Sequence, residues 1–322
     1  MPARDALTAL LGAELLRPAP EAARVFADEL RRRHGASLAA VLFYGSCLRR
    51  GTDEGVLDFY ALVDDYRGAY ASRALSLANA ALPPNVFYLE LPYEGRRLRA
   101  KYAVFSLRDF ARAVTPSALR TGTWARFCQP ALAVHVRDEA ARDALHAALC
   151  IALETAVLRG LALLPGDADV LEVDSESLWL TLFRATYAAE LRPESDEGPR
   201  AVYTADPPRY ARALAAALEA LDATGRLRVL SRDAKSWRVE CPSGSLRAAR
   251  RRSALRRPFA KAAATLQLLK SALTFGDWLP YALWKLERHT GTRLEPSARQ
   301  RRHPFVFGWP LIVRVLWKRE LR

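Results

Sequence analysis

The sequence has few of the residues that build metal centres or disulfide frameworks. Its 322 residues include only four cysteines and five histidines. The cysteines are scattered, with no pair at zinc-type spacing and no framework that would indicate secretion. The histidines form no ligand cluster either. We therefore expect free thiols in a reducing compartment and no site made of cysteine and histidine.

Long apolar segments are also missing. No run of 18 or more apolar residues occurs, so no membrane-spanning helix is expected. The first residues carry Asp5 and Glu14 and no continuous apolar core, so no signal peptide is predicted. We therefore expect a protein on the cytoplasmic face of a membrane, with any membrane contact being peripheral.

Acidic side chains are the third deficit. The chain has 35 Asp and Glu residues against 49 Lys and Arg residues, which gives a net charge of +14. Such a chain favours anionic partners, namely nucleic acid, acidic lipid or a phosphorylated substrate. The hydrophobic fraction is 51%, so a packed core is expected and wholesale disorder is excluded.

Hydrophobic periodicity predicts an α+β fold in three parts. Residues 1–138 read as a mixed sheet with helices. Residues 139–246 are mainly helical, and residues 247–322 form a basic, aromatic-rich tail. The predicted strands are 38–44, 56–63, 86–91 and 98–105, and a small hairpin is predicted over 227–240. The predicted helices are 20–33, 70–82, 106–114, 258–274 and 278–289. The helix 106–114 opens with Ser106-x-x-Asp109, which resembles a capping box.

The strongest chemical signal is the stretch Tyr44-Gly45-Ser46, followed about a dozen residues later by Asp58. An apolar strand enters a glycine–serine turn, and a second strand then opens with an aspartate. Gly45 has no Cβ, so the backbone can approach a phosphate closely. Ser46 adds a hydroxyl donor at the start of the next helix. Asp58 supplies a hard oxygen ligand for Mg²⁺. This layout predicts a site that holds a nucleoside triphosphate over a metal ion.

Further carboxylates could complete that metal site. This layout is the one that nucleotidyltransferases use. Many enzymes of that fold carry two acidic residues two positions apart, but here Tyr60 takes the second position. Asp64 lies on the same strand face, about 20 Å further along an extended strand. Glu90, on the following strand, is the easier third carboxylate. We therefore carry Asp58, Asp64 and Glu90 as candidate metal ligands.

The C-terminal tail has the composition of a membrane-surface segment. Basic residues crowd 247–261, including Arg250 and Arg251, and tryptophans recur at Trp278, Trp284 and Trp309. Cationic, tryptophan-rich amphipathic segments favour the headgroup zone of anionic bilayers. The alternative is a set of ordinary core helices with an arginine-coated exterior.

Several segments also match one family in order, from about residue 40 to 286. They are Tyr44-Gly45-Ser46 with Leu57-Asp58-Phe59, Gly95 with Lys101-Tyr102-Ala103-Val104-Phe105-Ser106, Arg126-Phe-Cys-Gln-Pro130, Tyr187-Ala-Ala-Glu190-Leu-Arg192, and Leu266-Gln-Leu-Leu-Lys270 with Tyr281 through Lys285. Together they resemble the motifs of the mitochondrial-type phosphatidate cytidylyltransferases, the peripheral enzymes that make CDP-diacylglycerol. Ala103, Ala189 and Ser271 stand where that family has glycine, which indicates a divergent, bacterial member.

The resemblance implies a nucleotidyltransferase domain, a winged-helix-like second domain and a helical tail that meets the membrane. The implied reaction joins CTP and phosphatidate, with Mg²⁺, to give CDP-diacylglycerol and pyrophosphate. Tyr44, Gly45 and Ser46 would hold the triphosphate, and Asp58 the metal. Lys101 would offset negative charge between the substrates.

Four more residues take roles from the resemblance. Arg126, Arg192 and Arg200 are candidates for phosphate contacts, because guanidinium groups match phosphate oxygens. Lys270 follows the C-terminal motif and would contact lipid.

Two other functions stay open. The same fold could serve another acceptor, such as RNA, a small molecule or a protein hydroxyl; nucleic acid is disfavoured because the aromatic residues do not interleave with the Gly-Ser motif. A degraded transferase kept as a lipid- or nucleic-acid-binding scaffold is the other reading, because Tyr60 replaces a common ligand.

Overall fold

The fold is that of a computed structural model, which describes residues 2–274 apart from 167–168 and 190–196. The strands are β1 (Leu38–Tyr44), β2 (Val56–Val63), β3 (Asn85–Tyr93), β4 (Arg96–Ser106), β5 (Ala131–Val136), β6 (Val170–Asp174), β7 (Arg228–Arg232) and β8 (Ser236–Glu240). The helices are α1 (Pro2–Leu15), α2 (Glu21–His34), α3 (Ser46–Arg50), α4 (Tyr66–Ala69), α5 (Arg73–Ala81), α6 (Leu107–Ala113), α7 (Gly122–Phe127), α8 (Glu139–Leu163), α9 (Ser175–Ala189), α10 (Glu197–Thr204), α11 (Pro207–Ala223) and α12 (Ser245–Thr274).

Five strands form a mixed sheet in the order β3-β4-β2-β1-β5. β1 pairs antiparallel with β2 and β5, whereas β2 and β4 run parallel. Strands β1 and β2 match their predicted bounds because both are nearly continuous apolar runs, as expected for the buried centre of a sheet. The predicted α+β fold is therefore confirmed.

Both faces of this sheet are buried. Val41, Phe43 and Phe59 pack on the face that α2 covers, with Phe26 of α2 among them. On the opposite face, Leu42 and Tyr60 belong to a larger core that continues into α8, α9 and α11. One continuous apolar cluster thus joins residues on either side of position 138. The division into 1–138, 139–246 and 247–322 stays a prediction.

Side-chain caps explain where several helices begin. Ser106 accepts a hydrogen bond from the Asp109 amide at 3.1 Å, as its predicted capping box requires. The helix predicted over 70–82 is α5, which begins after its Ser72 cap, whereas α4, capped by Asp65, precedes it and was not predicted. Each cap satisfies amides that have no partner inside the helix.

The second half has the connectivity of a winged helix. Its elements run α8, β6, α9, α10, α11, β7, β8, and the three strands form a sheet in the order β6-β8-β7. The predicted hairpin over 227–240 is the wing, β7–β8. Helix α11, in the position of a recognition helix, is packed against α1, and most of its residues are buried.

α1 is locked to α11 by a buried ion pair. The Arg209 guanidinium donates to both Glu14 carboxylate oxygens, at 2.7 and 3.0 Å, and also to the Cys128 carbonyl at 2.6 Å. Both side chains are nearly inaccessible. These bonds fasten the N-terminal helix and the end of α7 onto the winged-helix unit.

Two helices bear on the membrane predictions. By length and composition α8 could cross a membrane, but 67% of its most apolar window is buried inside the protein, so α8 is a core helix. Helix α12 begins at Ser245, well before the predicted residue 258, and Pro258 lies inside it. The predicted helix 278–289 lies outside the described residues.

Candidate active site

The turn from Tyr44 to Ser46, called the elbow from here on, leaves the centre of the sheet at the end of β1. Gly45 has φ +93°, a conformation that residues with a Cβ rarely adopt. A Cβ placed on Gly45 would lie 2.6 Å from the Oδ2 atom of Asp58. Glycine is therefore needed for both backbone angle and space, and the elbow touches the carboxylate that the sequence singles out.

Asp58 lies between two neighbouring strands. Its Cα is opposite Tyr44 on β1 and in register with Lys101 on β4. The Lys101 Nζ atom lies 3.0 Å from the Asp58 Oδ1 atom, and the two side chains are 39% and 16% exposed. Asp58 is thus not enclosed by apolar side chains; it faces a partly open site in which a cation is already its partner.

The elbow continues into a short basic helix. α3 has five residues and ends at Gly51, which has φ +61°. Such a short helix has little dipole, so the expected contribution of helix amides to anion binding is small. Instead, α3 presents arginines: Arg49 donates to the Gln129 side chain at 3.1 Å, and Arg50 to the Ser46 carbonyl at 3.3 Å.

Sequence reasoning missed this link between α3 and the segment after α7. The Arg49–Gln129 bond brings the Arg126–Pro130 motif beside the elbow, although the two are 80 residues apart. The available signal was the pair of basic residues one turn after the Gly-Ser motif. The elbow thus has Lys101, Arg49 and Arg50 around one acidic group, Asp58.

No nucleophile or base of the protein stands at the elbow in the described ranges. Burial raises the pKa of the Cys47 thiol, and the Asp58 charge raises it further, so the thiol stays protonated. The described histidines lie elsewhere, on α2, β5 and α8. The site can neutralise charge and position anionic groups, and among its described residues it has neither a histidine nor an ionised thiol to act as a base.

Tyr60, in place of a second carboxylate, is part of the core. Its ring stacks on Phe105 at a centroid distance of 5.6 Å and meets Phe127 edge-on at 4.8 Å. Tyr44, a predicted nucleotide contact, packs its ring against the rings of Tyr60 and Phe127, at centroid distances of 5.4 and 5.5 Å. These rings form an apolar floor below the elbow.

The structure does not bring Asp64 to this site. Asp64 follows the far end of β2, where Arg137 binds both of its carboxylate oxygens at 2.5 and 3.1 Å. Asp64 is six positions beyond Asp58, and β2 stays paired with β4 in unbroken register as far as Val63, so the strand does not end early as ligation would have required. Asp64 therefore anchors the start of β1 to the residue after β5.

Glu90 is likewise held away from Asp58. It lies on β3, two strand spacings or roughly 10 Å from β2, and it is opposite Arg99 rather than Lys101, so it is also offset by two residues along the strands. Tyr88 donates to Glu90 at 2.7 Å, and Arg97 and Arg99 pair with it at 3.2 and 3.3 Å. Neither of the two further candidate ligands, Asp64 and Glu90, therefore joins Asp58.

The predicted phosphate-binding arginines have mixed placements. Arg126 lies on α7, next to Phe127 of the floor, and donates to the Gly122 carbonyl at 2.6 Å. Arg200 is exposed on α10. Arg192 lies outside the described residues. The nucleotide-binding roles of these three arginines stay predictions.

The predicted lipid contacts on α12 divide by environment. Lys270 donates to the carbonyls of Ala78 and Leu82 at the end of α5, so it fastens α12 rather than facing lipid. Arg250 donates to the carbonyls of Ala162 and Leu164, where it caps the end of α8. Arg251 is exposed. Trp278, Trp284 and Trp309 lie outside the described residues.

A resident metal cluster does not fit the elbow. Among the residues that the structure describes, no three His, Cys, Asp or Glu side chains could hold an ion together. A single carboxylate does fit Mg²⁺ that arrives on a triphosphate, because Mg²⁺ is commonly held by one or two carboxylates plus substrate phosphates. Asp58 is the residue that would bind it.

Strand, glycine–serine elbow, short helix and a strand-borne aspartate thus lie together, in the order that the sequence predicted. No family model and no curated protein matches the chain. A solved structure, the nucleotidyltransferase-like protein from Exiguobacterium sibiricum, shares 12% identity over 91% of this chain and 90% of its own. Its TM-score is 0.26, so the likeness carries no argument about this chain.

Proposed function

We propose that the protein transfers the nucleotidyl group of CTP to phosphatidate at an anionic membrane surface, with release of pyrophosphate. One observation carries the proposal: Asp58 is held between the Gly45 turn and the Lys101 ammonium, 3.0 Å away. A partly buried carboxylate beside a close-approach glycine suits a metal-bound triphosphate. The lysine suits a second anionic reactant.

The chemistry asks little of the protein beyond charge and position. A non-bridging oxygen of the phosphatidate phosphate attacks the α-phosphorus of CTP, and the bond from that phosphorus to the bridging oxygen of pyrophosphate breaks. The attacking oxygen is already ionised near neutral pH, so no general base is needed. This agrees with an elbow that has no histidine or ionised thiol among the described residues.

Each residue of the elbow then has a specific task. Asp58 would hold Mg²⁺, which when bound neutralises negative charge on the phosphates. Lys101 lowers the repulsion between the two anionic reactants. Gly45 lets the backbone come within contact distance, and the Ser46 hydroxyl is positioned to donate to a phosphate oxygen. Positioning and electrostatics of this kind supply most of the catalysis in phosphoryl transfer.

A lipid acceptor is favoured by α12. Its large apolar residues Leu255, Phe259, Leu266 and Leu269 are 58–73% exposed, at spacings that place them on one face of the helix. Arginines Arg251 and Arg252 are exposed beside them. An exposed apolar stripe flanked by cations suits the interface of an anionic bilayer.

A nucleic-acid acceptor is disfavoured by the winged-helix unit. DNA-binding helix-turn-helix proteins place a recognition helix in the major groove. Here the corresponding helix, α11, is covered by α1, and its Arg209 is 2% exposed and paired with Glu14. The unit therefore serves as a support for the sheet and α12 rather than as a reader of base pairs.

Transfer of label from CTP into lipid tests the proposal. The protein is incubated with CTP labelled at the α-phosphate, Mg²⁺ and phosphatidate vesicles, and the lipid extract is counted, with RNA as a competing acceptor. We expect labelled CDP-lipid, and RNA should leave its yield unchanged. Label in RNA instead of lipid would establish the other acceptor class. Binding of CTP that is indifferent to Mg²⁺, with no product from any nucleotide, would establish a scaffold.

A further inference from the structure

A groove of about 440 Å³ lies between α12 and the helices α8 and α9. This volume is within the ~300–1,000 Å³ that small-molecule sites usually have. Its wall is made mostly of small apolar side chains, such as Ala185 on α9 and Ala260 on α12, with Trp124 and Leu182 among them. The groove is thus shaped and lined for a narrow hydrocarbon group.

The rim of the groove is cationic. Four arginines line it, namely Arg159, Arg250, Arg256 and Arg257, and none of the lining residues is acidic. Arg159 donates to the Pro116 carbonyl at 2.7 Å and Arg256 to the Ser117 carbonyl at 3.1 Å. In the described part of the chain, Arg159, Arg256 and Arg257 form no ion pair with a carboxylate.

These closely spaced like charges favour the binding of an anion. Burial lowers the pKa of Arg159, and the charges of Arg256 and Arg252 lower it further. Guanidinium groups bind phosphate oxygens through paired hydrogen bonds, and a phosphate among them would relieve the repulsion. Apolar wall and cationic rim together match one chemical class, an amphiphile with an anionic phosphate headgroup.

We propose that this groove binds a phosphatidate molecule, with an acyl chain along the alanine-rich wall and the phosphate monoester on Arg256, Arg257 and Arg159. The site is distinct from the elbow and lies on the inner side of α12. The groove would capture lipid from the membrane and hold it on the enzyme.

The orientation of α12 supports this occupant. Groove-lining residues such as Ala260 and Arg257 lie on one side of the helix, and Leu255 and Phe259 lie on the opposite, exposed side. If the exposed side rests on a bilayer, the groove lies about one helix diameter, ~10 Å, from the membrane surface. A lipid would therefore travel a short distance to enter it.

The inference takes from the proposed function only the choice of phosphatidate as the probe, and it is tested without CTP or Mg²⁺. The full chain is titrated by calorimetry with dioctanoyl phosphatidate below its micelle concentration. Glycerol 3-phosphate supplies the phosphate alone, and dioctanoylglycerol supplies the chains alone. We expect saturable binding at one site for the phosphatidate, and binding at least roughly tenfold weaker for each fragment.

Two variants block the groove in different ways. Ala260→Trp fills the wall, and the double variant Arg256→Gln with Arg257→Gln removes charge from the rim. Each should weaken binding by roughly tenfold or more. Ala223→Trp, at an exposed alanine at the end of α11 outside the groove, should bind like the wild type, as should Arg228→Gln on the wing. Circular dichroism and thermal melting establish that every variant is folded.

The outcomes separate this site from the enzyme reaction. Absence of saturable binding by the wild type overturns the inference, as does wild-type affinity in folded Ala260→Trp together with the charge variant. Equal affinity for glycerol 3-phosphate also overturns it, because the groove would then be a simple phosphate site. Groove-dependent binding with no CDP-lipid formed would uphold the site while refuting the proposed function.

Discussion

At the scale of single residues, Gly45 and Asp58 determine one another's positions. The elbow can bring its backbone against the Asp58 carboxylate only because position 45 lacks a Cβ, which would lie 2.6 Å from Oδ2. Lys101 then holds the opposite oxygen at 3.0 Å. The carboxylate is therefore fixed from two sides before any substrate arrives.

Replacing Gly45 tests this arrangement against a matched control. Gly45→Ala and Gly51→Ala both place a side chain at positive φ, which costs about 1–2 kcal/mol of unfolding free energy. Only Gly45→Ala also displaces Asp58, since nothing lies within 4 Å of a Cβ on Gly51. We expect nucleotidyl transfer to fall about 100-fold in Gly45→Ala. Gly51→Ala should keep most of its activity in the same assay.

Wild-type activity in both alanine variants would mean that the elbow does not position the reacting groups. Equal loss in both would mean that backbone strain, and not the contact with Asp58, controls the rate. Unfolding curves measured in urea separate a loss of fold from a loss of activity in either variant.

At the scale of elements, two contacts attach one helix to another. One is the Glu14–Arg209 pair between α1 and α11, and the other is the Lys270 ammonium of α12 against the end of α5. Neither partner pair is close in sequence. Both contacts bury a charge, so removal of one partner leaves the other without compensation.

The α1–α11 ion pair can be tested by single and paired replacement. Glu14→Gln leaves the Arg209 guanidinium buried without its counter-charge, which should cost about 3–5 kcal/mol of unfolding free energy. Glu14→Leu combined with Arg209→Met should be more stable than Glu14→Gln. Glu21→Gln removes an exposed pair with Arg24 and should change stability by less than ~1 kcal/mol. A cost for Glu14→Gln no larger than for Glu21→Gln would contradict the buried-pair account.

Lys270 makes the docking of α12 dependent on pH. Burial, and after it the charge of Arg120, lowers the Lys270 pKa to about 8, against 10.5 for an unperturbed lysine. Between these values the unfolded chain binds the proton and the folded protein has released it, so stability from this group rises with pH. We expect wild-type stability to rise relative to Lys270→Met from pH 8 to 10. A constant difference between the two proteins across this range would exclude the shift.

Local sequence patterns predicted the bounds of several elements, whereas contacts between residues far apart in the sequence could not be predicted. The bounds of β1 and β2 followed from apolar runs interrupted by glycine, and the start of α6 followed from its Ser106 cap. By contrast, the Asp64–Arg137 and Arg49–Gln129 contacts join residues 73 and 80 positions apart, and no local pattern encodes them. Asp64 was placed on the right strand face, but the straightness of β2 keeps it from Asp58.

Helix α1 was not predicted, although the sequence contains its signal. Leu7, Leu11 and Leu15 recur every four residues, which is a helical spacing, and all three are buried. Helix α3 is too short for any periodicity. The helix that corresponds to α12 was predicted to begin at residue 258, because a proline usually starts a helix rather than lying within one.

At the scale of the whole molecule, charge and exposed apolar surface concentrate on α12, on the outside of the winged-helix unit. This distribution predicts peripheral binding to anionic vesicles. The double variant Leu255→Ser with Phe259→Ser should lower partitioning onto phosphatidate vesicles roughly tenfold or more, because two large side chains no longer enter the interface. Leu77→Ser, at a leucine of α5 that is 70% exposed, serves as the control.

Vesicle sedimentation at low and high salt measures the binding of the wild type, the double variant and Leu77→Ser. Salt should weaken binding of the wild type, because the arginines beside the stripe act through screened electrostatics. If Leu77→Ser and the double variant sediment equally well, α12 is not the surface that meets the membrane.

The most direct test of the central claim compares wild type with Asp58→Asn in the formation of CDP-lipid from labelled CTP, Mg²⁺ and phosphatidate vesicles. Asparagine keeps the size of the side chain but removes the charge that holds the metal-bound triphosphate. We predict robust product from the wild type and at least ~100-fold less from Asp58→Asn. Undiminished product from Asp58→Asn, or none from the wild type with any nucleotide, would contradict the account.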